Sequence, residues 1–208
     1  MAFITFEGID GSGKSTVARM VAEETGYILT AEPTDGPLGM ELREASERGD
    51  GCIVEALLFT ADRYVHTEQI KKWLNDGKGV ISDRYLHSTV AYQLAEIEQK
   101  EEKEGKHWIG GDRRQMWKEW LIGIGTPASI KPDLTLLIDV DVETGLARAR
   151  ERGRLSSFEK VELLKLVRRN YLELAEDGRW NIAVIDGTQG IDDVVKAVMK
   201  EIKQIGKN

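Results

Sequence analysis

The residues with the clearest capacity for chemistry stand near the start of the chain, in "GIDGSGKS", Gly8 to Ser15. The spacing G-x-x-x-x-G-K-S/T suits a loop that wraps phosphate groups. Gly8, Gly11 and Gly13 let the backbone curl until successive N–H groups face inward, and the positive end of a following helix adds to the cradle. Lys14 has the reach for the β- and γ-phosphates, and the Ser15 hydroxyl is placed to ligate Mg²⁺. The candidate nucleotide-binding set is therefore Gly8, Asp10, Gly11, Ser12, Gly13, Lys14, Ser15 and Thr16, with ATP as the expected ligand. A chance glycine-rich turn does not explain the strand before it, the helix after it and Lys-Ser-Thr together.

Two further constellations carry chemistry. "SDRYLHSTVAYQ", Ser82 to Gln93, begins where a strand-like run ends, the edge at which open α/β sheets gather ligands. Asp83 there can orient Mg²⁺ or its waters, and Arg84 can clamp a phosphate with its fork of donors. A plain surface ion pair is the other reading of Asp-Arg. In "EALLFTADRYVH", Glu55 to His66, Phe59 and Arg63 lie four residues apart and so share a helix face. Ring and guanidinium suit recognition of a base by stacking and donation, but on these residues alone an ordinary core aromatic beside an ordinary surface arginine is the reading that prevails.

These groups must be held by a frame, and the frame is legible as short β-branched runs alternating with helix-length segments. The runs are Ala2–Glu7, Tyr27–Thr30, Gly79–Asp83, Leu134–Val140 and Asn181–Asp186. Strands apolar on both faces, joined by helices, predict a parallel sheet covered on both sides, a three-layer α/β fold. Helices are expected over Gly13–Glu24, Val54–Asn75, Val142–Arg152, Phe158–Glu176 and Ile191–Ile205. Leu94–Lys106, dense in Glu and Lys, reads as a solvated helix projecting beyond the body, and Gly111–Leu121 as a further helix bearing Trp117 and Trp120.

The chain of 208 residues is expected to form one domain, 1–208, with a charged helical extension at about 94–121. With 41% hydrophobic and 31% charged residues it has the composition of a globular protein. A net charge of −7 speaks against a broad nucleic-acid surface. Cys52 is the sole cysteine, so neither a disulfide framework nor a cysteine metal cluster is available, and a reducing cytoplasm is the expected location. No apolar run approaches the roughly 20 residues of a membrane span. His66, His87 and His107 show no metal-ligand spacing.

Four blocks, "FEGIDGSGKST" (6–16), "EPT" with "LGMELRE" (32–44), "LLFTADRYVH" (57–66) and "DRYLHSTVAYQ" (83–93), closely resemble the thymidylate kinase family in content and order. "KPDLTLLIDVDVETGLAR" (131–148) extends the likeness over most of the chain outside about 94–130. The resemblance implies a P-loop fold with a five-stranded parallel sheet and a short mobile lid. It implies transfer of the ATP γ-phosphoryl group to dTMP, a homodimer, and no nucleic-acid or membrane partner. By the same likeness Phe59 stacks on thymine, Arg63 donates to a base carbonyl, and Thr89 and Gln93 lie near the N3 edge. Arg84 holds the acceptor phosphate, Tyr92 packs under the sugar, Asp10 reaches the sugar or metal-bound water, and Glu32 and Arg43 border the monophosphate.

Phosphoryl transfer asks mainly for alignment and positive charge, so cations are what to count. "LARARERGRLSSFE", Leu146 to Glu159, resembles the family's lid, placed at about 149–158, and Arg152 and Arg154 are its candidate catalytic residues beside Lys14, Arg84 and Asp10. Gly11 stands where some relatives carry a basic residue, which implies the lid-arginine arrangement. Ser156 and Ser157 stand where relatives often have Asp-Arg, and Ala31 where many bacterial ones have Arg before "EP". The alternatives are another nucleoside monophosphate or deoxynucleoside kinase, a weakly catalytic nucleotide-binding paralogue, or a nucleotide-gated switch. For a switch, neither a guanine-reading N/TKxD segment nor a water-positioning Gln was found.

Overall fold

The computed structural model of the chain describes residues 1–105, 112–151 and 158–205. Five strands form one parallel sheet: β1 (Phe3–Glu7), β2 (Ile28–Ala31), β3 (Val80–Asp83), β4 (Leu134–Asp139) and β5 (Ile182–Asp186), in the order β2-β3-β1-β4-β5. All five expected runs are strands. β1 is central and buried throughout, and its register pairs Phe6 with Asp83 on β3 and with Leu136 on β4. Asp83 thus ends its strand level with the start of the phosphate loop. Between the central strands, Thr5 and Thr135 satisfy one another by a hydroxyl hydrogen bond of 2.8 Å.

Strand side chains alternate, and the two faces of the sheet accordingly make different cores. Ile4, Phe6, Leu136 and Ile138 pack against α1 (Lys14–Thr25) and α8 (Ile191–Ile202). On the other face Phe3 and Val80 meet α3 (Cys52–Asn75), α4 (Leu86–Lys103) and α5 (Asp112–Gly125), while Leu137 meets α4 and α7 (Phe158–Glu176). Each such fully buried aliphatic or aromatic side chain contributes roughly 1.5–3 kcal/mol. α2 (Pro37–Arg48) starts with proline and is closed by Gly49 at φ 73°, the ends that such a helix prefers. α6 (Val142–Glu151) completes the set.

The charged segment departs from expectation. It is not a projecting helix: it is the second half of α4, in which Leu94, Ala95 and Ile97 are buried. Its acidic groups meet arginines from other helices. Glu101 takes a forked contact from Arg113 at 2.7–2.9 Å, and Glu98 pairs with Arg114 at 3.5 Å and with Arg169. Trp117 and Trp120, edge to face at 5.6 Å, pack onto the same core.

Candidate active site

The phosphate loop leaves β1 at Glu7 and enters α1 at Lys14. Gly8 and Gly11 take φ values of 144° and 83°, and a Cβ at either would fall 2.5 Å from the Ile138 carbonyl oxygen or 2.0 Å from that of Gly145. Only glycine lets the loop lie this close to β4 and α6. Lys14 is buried with its ammonium 3.7 Å from Asp83. Burial, and after it the charge of Arg84, pull its pKa below the ordinary value. The Ser12 hydroxyl and Asp83 Oδ1 are buried without a hydrogen-bond partner among the described residues. Ser15 and Asp83 open into one cleft, so the two expected metal-binding residues are brought together.

On one side of the loop lies a cleft of about 410 Å³, walled by Ser12, Gly13, Thr16, Arg148, Gly187 and Gln189. Arg148 donates to the Gly187 carbonyl at 2.9 Å, tying α6 to the turn after β5.

On the other side is a pocket of about 290 Å³ that gathers Asp10, Arg43, Phe59, Arg84, Tyr92 and Gln93. Arg84, at φ 72°, donates to Asp10 at 2.7 Å and to the Ser88 hydroxyl at 3.1 Å, with its guanidinium 4.9 Å from the centre of the Tyr92 ring. Arg43 pins the turn after β2 by donating to the Pro33 and Thr34 carbonyls, both at 2.9 Å.

Beneath Arg84 sits Glu7, fully buried, accepting from the Tyr85 backbone N–H at 2.9 Å and the Tyr171 hydroxyl at 3.0 Å. Burial pushes its pKa up to about 7 against the lowering effect of Ser88 and Arg84.

Three expected contact residues are set behind the wall. Arg63 is 0% exposed: its guanidinium donates to Glu32 at 2.7–2.9 Å and to the Thr89 hydroxyl at 2.8 Å. Glu32 also meets His66 Nδ1 at 3.0 Å, and His66 Nε2 lies 2.8 Å from the Thr30 hydroxyl. Arg63 and Thr89 are thus absent from the lining of the pocket, although Arg63 Nη1 is left buried without a hydrogen-bond partner among the described residues. Glu32, likewise buried, anchors the turn and does not border the pocket. Arg152 and Arg154, with Ser156 and Ser157, lie outside the described residues.

Several residues at the site were not found by sequence reasoning. Glu55 and Glu96 line the same pocket as Arg84 and Phe59. Asp62 holds the turn through the Thr34 backbone N–H at 2.8 Å and the Thr34 hydroxyl at 2.6 Å, and Lys160 of α7 lies 3.7 Å from Asp10. Asp62 adjoins Arg63 within the 57–66 stretch, so its signal is local. Nothing local distinguishes Glu55, Glu96 or Lys160 from surface charges.

A glycine cradle between a parallel strand and a helix, with a buried lysine, an aspartate at the adjacent strand end and one cleft on either side, defines a P-loop phosphotransferase. The thymidylate kinase family model matches residues 6–108 and 113–198, and the chain belongs to that family. It is 37% identical over 206 residues to a probable thymidylate kinase of Methanococcoides burtonii, covering 97% of this chain and 96% of that protein. A probable thymidylate kinase of Thermococcus kodakarensis is 42% identical over 191 residues, 84% of each chain, and one of Pyrococcus abyssi 37% over 215 residues, 97% and 95%.

Proposed function

We propose that this protein transfers the γ-phosphoryl group of ATP to dTMP, giving dTDP and ADP. Membership of the family supports the reaction. The observation that carries it is the placement of Arg84, with Phe59, Tyr92 and Gln93, in a pocket that opens across the phosphate loop from a second cleft. The loop and Lys14 hold the donor phosphates, and the adenine enters the cleft beside Arg148 and Gln189. Arg84, braced by Asp10 and Ser88, holds the acceptor phosphate. A phosphate oxygen of dTMP attacks the γ-phosphorus in line, and the bond to the β,γ-bridging oxygen breaks, leaving ADP.

Phe59 and Tyr92 flank base and sugar, and Gln93 faces the base edge. Arg63 acts one layer back, holding Thr89 and, through Glu32, the turn that Arg43 clamps from above. Ser15 and Asp83 would hold Mg²⁺, a fit supported by their shared cleft and by the Asp83 Oδ1 that accepts no hydrogen bond among the described residues and has only the Lys14 ammonium, at 3.7 Å, as its ionic neighbour. Bound there, the ion neutralises charge on the transferring phosphates. Lys160 adds a cation 3.7 Å from Asp10, and Arg152 and Arg154 of the lid are proposed to complete the positive collar. No helix among the described residues is long and apolar enough to cross a membrane; the cytoplasmic location is part of the proposal. Exposed Leu57 and Val65 on α3, at 51% and 59%, with Val54 and Tyr64 nearby, support a homodimer.

The test is ADP release with dTMP, dUMP, dCMP, dGMP and thymidine as acceptors. dTMP should give the highest kcat/KM, whereas a preference for thymidine, or indifference to every monophosphate, would overturn the proposal.

A further inference from the structure

Gln93 is 2% exposed and forms part of the acceptor pocket wall, and its amide oxygen has no partner among the described residues. Its amide nitrogen is engaged instead, donating to Glu55 Oε2 at 3.4 Å. Glu55 sits on α3 one turn before Phe59, lines the same pocket, and takes a hydrogen bond from the Ser46 side chain of α2. The orientation follows from chemistry. A carboxylate only accepts, so the opposite amide rotamer would set oxygen against oxygen and strand the NH₂ group. A buried amide oxygen left unpaired is costly, and a ligand that supplies a donor there recovers that cost.

We infer that Glu55 is a specificity-determining residue for the acceptor base: it turns the Gln93 amide so that the pocket presents a hydrogen-bond acceptor, selecting pyrimidines that carry a proton on N3. This rests on the reading above that the pocket takes a pyrimidine monophosphate. Thymine and uracil offer N3–H to the waiting oxygen. Cytosine offers a lone pair at N3 and is rejected by two facing acceptors. Glu55 does this without touching the base, as a positioning residue.

The experiment measures kcat/KM for dTMP and dCMP with the full-length protein and saturating ATP and Mg²⁺, for wild type, Glu55→Gln and Glu55→Ala. Gln at 55 donates as well as accepts, so the Gln93 amide is free to turn over. The dTMP-to-dCMP preference should fall about tenfold or more, the worth of one such hydrogen bond, with the dTMP loss carried mainly in KM. Glu55→Ala releases the amide and keeps the test open should Glu55→Gln not fold, with folding checked by thermal melting. A purely structural role would move both acceptors together. A preference within about twofold of wild type in either folded, dTMP-active variant overturns the inference. Wild type inactive on every pyrimidine monophosphate defeats the functional reading instead.

Discussion

At the scale of single residues, Arg84 is the group on which the proposed acceptor site turns. Replacing it with methionine keeps much of the packing on Tyr92 but removes the donors, and kcat should fall about 10²–10³-fold. Lysine should restore little of this, because a point charge cannot reproduce the fork that reaches Asp10 and Ser88 together. Steady-state rates with saturating dTMP check both.

Glu96 gives a second residue-level prediction. Burial, and then the neighbouring Glu55, raise its pKa from 4.5 to about 7. The folded chain therefore keeps a proton that the unfolded chain releases above about 4.5. The stability tied to it is full below that pH and is lost as pH rises through about 7. Glu96→Gln should flatten the fall in melting temperature between pH 5 and pH 8 by a few degrees. The phosphate loop was legible because its signal is wholly local. Glu55 and Glu96 were not, since only the packing of α3 against α4 brings both carboxylates to one pocket.

At the scale of elements, the join between α3 and the turn after β2 is a buried ionic unit. Arg63→Ala leaves Glu32 buried beside His66 without its main partner, and should cost about 3–5 kcal/mol in equilibrium unfolding. A denaturant curve shifted by less than about 1 kcal/mol would contradict this account of the wall. The helix periodicity that paired Phe59 with Arg63 was correct, and Phe59 does line the pocket. What periodicity could not show is that a carboxylate 31 residues upstream takes the guanidinium inward.

The same limit misplaced the charged half of α4. Its Glu/Lys composition describes a wet helix until Arg113, Arg114 and Arg169 arrive from α5 and α7. The loop–helix contact carries its own prediction. Gly11→Arg, which would move the charge into the loop, should unfold the site or abolish turnover, because the added Cβ meets the Gly145 backbone.

At the scale of the molecule, the parallel sheet brings two clefts to one edge, and the β2-β3-β1-β4-β5 order sets the phosphate loop between them. That architecture was readable from five apolar runs and their spacing, since doubly covered parallel strands have few other ways to bury both faces. The exposed strip of α3 belongs to this scale too. If this strip is the interface of the proposed homodimer, Leu57→Glu combined with Val65→Glu should shift the sedimenting species from dimer to monomer.

The central claim is that the phosphoryl group crosses from one cleft to the other within this single chain. Following the label from γ-³²P-ATP in the presence of dTMP tests it most directly. The account predicts label in the β-phosphate of dTDP, appearing only when dTMP is supplied. Label released as inorganic phosphate at the same rate with and without dTMP would contradict it.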